Sequence, residues 1–295
     1  KADQLVLENM SLMPHVKKIS NEKTQFERFK SLEITENDVL DIYKICKKIK
    51  IKFSITPFYS ESVKFLSKYV SFFKIASGDI NFLPLLEEIS KYKKPVVLST
   101  GMSNKKEIIE ALKILKSREV ILLHCISSYP TLDHQLNLRT FEMLKNFKKV
   151  IGLSDHTKGI EGAKMSLAYG AIVFEKHFLP HNKIKKVGDF KLSLNPKEMK
   201  NYVYKLHECY KLVGKVRNGP LEAEKKFFKN LRRSPYFSHL LTKGMRVKKN
   251  DIIFLRPYSP KAIKINMIKK VLGKKLKCNV KKQTIIQEKV FVDEI

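Results

Sequence analysis

An α/β chain is predicted: a (β/α) barrel of the eight-stranded TIM type that lacks its first two βα units, followed by a small β-rich domain. Three observations predict it. Between residues 35 and 178 short apolar runs alternate with longer amphipathic stretches, the pattern of repeated βα units and a parallel sheet. The runs end in polar clusters: Lys74-Ile75-Ala76-Ser77-Gly78-Asp79, Ser99-Thr100-Gly101-Met102, His124-Cys125, Ser154-Asp155-His156-Thr157 and Glu175-Lys176-His177-Phe178. Such clusters belong at the C-terminal rim of barrel strands, where buried backbone emerges from the core. Beyond residue 232 the alternation stops, and short apolar runs are broken by Gly244, Asn250, Pro257, Pro260 and Gly273.

Six strands are expected, at residues 52–56, 72–76, 95–99, 120–125, 150–154 and 171–177. Helices are expected between them, among them 36–49, 83–91 and 105–115, the last with Ser103 or Asn104 as its cap. Residues 1–34 are polar and weakly periodic and read as a long βα loop. Six strands do not close an eight-stranded barrel, and the two absent units are expected at the front. A doubly wound sheet is disfavoured because Thr56-Pro57-Phe58, not a glycine-rich phosphate turn, follows the first strand. A helix at 196–213 completes the barrel domain, 1–213. A polar linker, 214–232, and a β-rich domain, 233–295, follow.

The 295 residues, 43% of them apolar, suffice for a large core and a smaller one. No run of 18 apolar residues and no secretion signal are present, so a cytoplasmic protein without membrane contact is expected. The four cysteines, Cys46, Cys125, Cys209 and Cys278, lie far apart and suggest neither a disulfide framework nor a zinc ribbon. The formal charge of +30 raises the question of a polyanionic partner. Only eight of the 59 basic residues are arginine, and the lysines are spread over every expected helix. That pattern reads as a solvated surface, and no nucleic-acid partner is expected.

The strand ends carry the chemistry. Lys74 and Ser77 offer a cation and a hydroxyl to a carboxylate or phosphate, and Thr56, Ser99, Thr100 and Ser154 add neutral donors. His156 and His177 end successive strands, and two imidazoles suit Mn²⁺, Fe²⁺, Co²⁺ or Zn²⁺ better than Mg²⁺. Asp79, Asp155, Glu175 and Asp189 are candidate acid/base or sugar-hydroxyl groups, with Asp155 equally placed to support a metal-bound histidine. Tyr129, in Ser127-Ser128-Tyr129-Pro130, is a candidate for stacking on a sugar.

In this order, Ser54-Ile55-Thr56-Pro57-Phe58, Lys74 to Asp79, Leu98 to Met102, His124-Cys125 with Ser128-Tyr129-Pro130, Ser154 to Thr157, Glu175 to Phe178 and Arg256-Pro257 resemble the sialic acid synthase family, phosphoenolpyruvate-dependent enzymes that make N-acetylneuraminate, legionaminate or pseudaminate. The resemblance implies condensation of phosphoenolpyruvate with an N-acetylmannosamine-like amino sugar. Thr56, Lys74, Ser77, Ser99 and Ser154 would hold phosphoenolpyruvate. Tyr129, Asp79, Asp189 and Arg256 would contact the sugar, Asp79, Asp155 and Tyr129 would serve catalysis, and His156 and His177 would hold Mn²⁺, with Mg²⁺ or Co²⁺ as alternatives. It also implies that residues 233–295 form an antifreeze-like SAF domain of β-clip type. Arg256 would then reach a partner's sugar in a domain-swapped homodimer.

Four departures accompany the likeness. The family's Glu-Ile-Gly-x-Asn-His-x-Gly and Lys-Phe-Gln segments, with a catalytic glutamate and a phosphate-binding lysine, have no counterpart, so the chain is expected to start after them. Asp79 replaces a glutamate, Phe190 a frequent histidine, and Tyr258-Ser259 a glycine. The alternative reading is a catalytically inactive relative that binds sugar or phosphoenolpyruvate; a polyanion-binding protein is the third.

Overall fold

A computed structural model describes residues 1–17, 20–116, 119–180 and 189–292. The chain forms two compact units, 1–214 and 215–295. In the first, helices α1 (Pro14–Lys17), α2 (Gln25–Ser31), α3 (Glu36–Lys48) and α4 (Ser60–Leu66) precede strand β1 (Phe73–Ile75). Then α5 (Leu83–Ser90), β2 (Val96–Ser99), α6 (Lys105–Leu115), β3 (Val120–Cys125), α7 (Thr140–Lys145), β4 (Val150–Asp155), α8 (Glu161–Ala168), β5 (Val173–Lys176) and α9 (Pro196–Val213) alternate. The second unit holds α10 (Glu222–Leu231), β6 (Ser234–Phe237) and β7 (Ile252–Leu255).

Every pairing in the first sheet is parallel, and the strand order runs β1-β2-β3-β4-β5 without reversal. That is barrel order and not a doubly wound order, which switches direction part-way. The strands are rich in apolar residues because helices cover the outer face: Phe73, Ile75, Leu98, Leu122 and Leu153 are fully buried. The helices start where their sequences allow. Asn104 accepts from the backbone N–H groups of Lys106 and Glu107 while Glu107 accepts from the Asn104 N–H, and Asn195 with Glu198 caps α9 in the same way.

Among the described residues the parallel sheet of the first unit has five strands where six were expected. Residues 52–56 do not join the ladder. The Ser54 hydroxyl, in place of a backbone group, donates to the Phe72 carbonyl (2.8 Å), and only Ser71 N–H to Phe53 O (2.7 Å) links the two segments through backbone. The last strand is also shorter, Val173–Lys176, so His177 stands just past its end.

The expected linker contains α10, whose first turn is closed by Glu224 accepting from the Leu221 N–H. In the second unit β6 and β7 form an antiparallel pair, while Tyr236 with Ile285, Leu241 with Val280, Arg246 with Lys275 and Leu276 with Phe291 meet as single bridges. Phe237, Leu241, Leu276 and Ile286 centre its own core. Residues 293–295 of the expected 233–295 domain lie outside the described residues.

Candidate active site

Lys74 projects from β1 and donates to the Ser99 hydroxyl on β2 (2.8 Å) and to the Ile75 carbonyl (2.9 Å). Its Nζ also stands 3.4 Å from Glu175 Oε2 on β5. In a flat sheet β1 and β5 would lie four strand spacings apart, about 19 Å, beyond the reach of two side chains. The ion pair therefore records a curled sheet whose strand ends converge. They enclose a cavity of about 520 Å³ lined by Lys74, Ser77, Ser99, Cys125, Ser154, His156, Glu175 and His177, with Tyr129, Met102, Met13 and Pro14 among its other walls.

Close packing builds the floor. Gly101 N–H donates to Ser77 Oγ (3.0 Å), and a Cβ at Gly101 would stand 2.5 Å from Ser127 Oγ, 2.8 Å from Ser77 Oγ and 3.2 Å from Cys125 Sγ. Only glycine lets β2 turn away here. Cys125 is buried, which pushes its thiol pKa up, but His156, Ser77 and Ser154 outweigh burial and hold it below the ordinary thiol range.

His156 Nδ1 lies 2.9 Å from the Ile126 carbonyl and 3.8 Å from Cys125 Sγ. A carbonyl only accepts, so Nδ1 carries a proton and the lone pair of the neutral ring is on Nε2; burial disfavours the charged ring, but Cys125, the Ile126 carbonyl and Glu175 outweigh it and raise the His156 pKa. The His177 ring centre is 5.2 Å from that of His156, and His177 Nδ1 is 3.6 Å from Asp189 Oδ2. Burial lowers the His177 pKa, favouring the neutral imidazole that a metal needs. Tyr129 lies against His156 (4.3 Å, 32°) and edge-on to His177 (6.0 Å, 86°). Burial, with Cys125, Asp189 and Glu175 nearby, pushes its phenol up to about 12. Two adjacent imidazoles, one with its tautomer set by a carbonyl, fit a divalent transition metal whose other ligands are water or substrate oxygens. Among the described residues no cluster of three His, Cys, Asp or Glu side chains forms a metal site from protein groups alone.

A model of the NeuB family matches residues 1–218. The chain belongs to the NeuB family. The N,N'-diacetyllegionaminic acid synthase of Legionella pneumophila is 32% identical to it over 97% of this chain and 82% of its own length. The solved N-acetylneuraminic acid (sialic acid) synthetase of Leptospira borgpetersenii superposes with TM-score 0.66 at 31% identity, covering 76% of this chain and 80% of that one. The spore coat polysaccharide biosynthesis protein E of Chromobacterium violaceum superposes with TM-score 0.78 over 95% of this chain and 85% of its own; at 23% identity this speaks to fold alone.

In this NeuB chain Lys74, Ser77, Ser99, Ser154, Tyr129, His156 and His177 come together around one cavity, whereas Thr56 and Asp79 are not among its lining residues. Asp79 lies within the field of Lys74, but burial dominates and pushes its carboxyl up to about 6. Asp189 meets the cavity through His177. Arg256 belongs to the second unit, where its peptide bond to Pro257 is cis. Asp155, expected either in catalysis or in support of a metal-bound histidine, is not among the lining residues. It is fully buried, with Oδ1 accepting from the Thr157 N–H (2.9 Å) and hydroxyl (2.7 Å) and Oδ2 from Lys176 (3.0 Å) and Tyr202 (3.4 Å). All four contacts are to protein groups, and the residues on either side of Asp155, Ser154 and His156, face the cavity. Reading by residue type put His124-Cys125 at a strand end but gave the Cys125 thiol no role, and it passed over Met13 and Pro14, which sit in a segment with little periodicity.

Proposed function

We propose that the protein catalyses the condensation of phosphoenolpyruvate with an N-acylated, N-acetylmannosamine-like amino sugar, giving a nine-carbon sialic-acid-type sugar acid and inorganic phosphate. The observation that carries this reading is the meeting, in one cavity, of a lysine ringed by hydroxyls with a pair of imidazoles. Carbon 3 of phosphoenolpyruvate bonds to the aldehyde carbon of the open-chain sugar, whose C=O double bond opens to a hydroxyl by taking the proton that the added water gives up. A water oxygen bonds to carbon 2, and the bond from carbon 2 to the phosphate oxygen then breaks with its electron pair going to phosphate, which leaves with the hydroxyl proton as carbon 2 becomes a ketone.

Lys74 supplies the positive charge for the triply charged substrate, and Ser77, Ser99 and Ser154 supply hydroxyl donors. Glu175, 3.4 Å from Lys74, holds that ammonium over the cavity until the anion arrives. Thr56 is a more distant member of this group. Tyr129, Asp79 and Asp189 orient sugar hydroxyls, and with a pKa of about 6 Asp79 exchanges a proton near neutral pH. His156 and His177 are the residues that would hold a divalent ion, Mn²⁺ foremost with Mg²⁺ or Co²⁺ as alternatives, which when bound supplies Lewis acidity toward a carbonyl oxygen. In the same reading the second unit is an antifreeze-like SAF domain, Arg256 serves a partner's sugar in a domain-swapped homodimer, and the enzyme works in the cytoplasm. Among the described residues no helix is long and apolar enough to cross a membrane.

The test is phosphate release from phosphoenolpyruvate with a panel of N-acylated amino sugars and Mn²⁺. Sugar-dependent release is expected. Calorimetric binding of either substrate without release would turn the reading to the catalytically inactive relative, and neither binding nor release would overturn both.

A further inference from the structure

Strands β4 and β5 end in matching alternation. Ser154 and His156 line the cavity, and so do Glu175 and His177. Asp155 and Lys176, lying between them, belong to the opposite face. There the two are direct partners in the parallel ladder. Lys176 Nζ donates to Asp155 Oδ2 at 3.0 Å, with side-chain exposures of 2% and 0%. Lys176 also donates to the Thr157 carbonyl (2.6 Å), and Tyr202 brings α9 onto Asp155.

Burying an ion pair is a weak route to stability, since apolar residues of the same volume usually do as well or better. What it contributes is geometry. A bond of defined length and direction joins the two strands one residue before each imidazole, and a register slip would leave a buried charge without a partner. We propose that the Asp155–Lys176 pair, anchored to α9 by Tyr202, is a positioning device that sets the separation and orientation of His156 and His177 and so the affinity of the cavity for a divalent cation. The inference rests on the two-histidine metal site of the proposed function.

The test compares the parent protein with the double variant Asp155→Asn/Lys176→Met, which keeps the acceptor for Thr157 and the straight-chain volume while removing both charges. Calorimetric titration with Mn²⁺ and with Co²⁺ is expected to show affinity lower by about tenfold to a hundredfold, the range for groups that support metal ligands, at a thermal midpoint equal to or above the parent's. Parental affinity in the folded double variant overturns the proposal. Should that variant not fold, Tyr202→Phe removes a single hydroxyl from Asp155; a several-fold loss of affinity at the parental midpoint supports the proposal, and no change overturns it. If the parent takes up no cation in a His156-dependent manner, the metal part of the proposed function falls by itself. The clamp is then judged in the metal-free protein from the ¹⁵N imidazole resonances of His156 and His177: displacement of both in the double variant supports it, and unchanged resonances overturn it.

Discussion

Lys74 shows how one side chain acquires a function from its neighbours. Its ammonium is drawn over the cavity by Ser99 and Glu175, so an incoming anion meets a charge already aimed. Lys74→Met should weaken phosphoenolpyruvate binding by about tenfold to a hundredfold, the scale of a charge-assisted hydrogen bond, as read by calorimetry. Asp79 differs in sign. Burial raises its pKa from 3.8 to about 6, so the folded state holds the proton more tightly than the unfolded one. The stability this adds is complete below pH 3.8 and is lost as pH rises through 6, above which an ionised carboxylate sits in a poorly solvating place. Asp79→Asn should therefore gain thermal midpoint relative to the parent as pH increases across that window; a difference independent of pH would refute the assignment. Residue types at strand ends made Lys74, His156 and His177 readable in sequence. The face that Asp155 takes was not, because whether a strand residue faces cavity or helix depends on a register that one-residue shifts invert.

At the scale of elements, strand pairing decides the site. Gly152 on β4 faces Val173 on β5, and a Cβ there would stand 2.2 Å from the Val173 carbonyl oxygen and 2.7 Å from Leu123 Cδ2. Gly152→Ala should force these strands apart and cost about 3 kcal/mol, the upper end for overpacking, measured by urea unfolding. The same strands carry His156 and His177, so metal binding should weaken with it. The helices were readable because caps and amphipathic periodicity are local: α6 begins after Asn104 and α9 after Asn195. Residues 52–56 were misread as a strand because the alternation of Phe53 and Ile55 with polar residues says nothing of whether a neighbouring ladder accepts them. Inside the expected linker, α10 was hidden by a polar sequence that buries none of its residues.

For the whole molecule, the two units keep separate cores, one centred on the parallel sheet and one on Phe237, Leu276 and Ile286. Both share a chain of net charge +30. Excess lysine repels lysine in the folded state, so raising chloride salt from about 0.01 M to about 0.15 M, which shortens the screening length from about 30 Å to about 8 Å, should raise the thermal midpoint. A fall in midpoint would mean that attractive pairs dominate instead. By itself the sequence determined the βα alternation, the polar residue types at each strand end and the family to which those strings belong, because these depend on local periodicity and on the order of residues along the chain. Tertiary structure alone decided that Lys74 reaches Glu175 across the curl of the sheet, that Gly101 packs against the Ser77 and Cys125 side chains lining the cavity, and that Asp155 turns away to Lys176. Those contacts join residues 21 to 101 positions apart, and they exist only once strand register and sheet curvature bring distant backbone together.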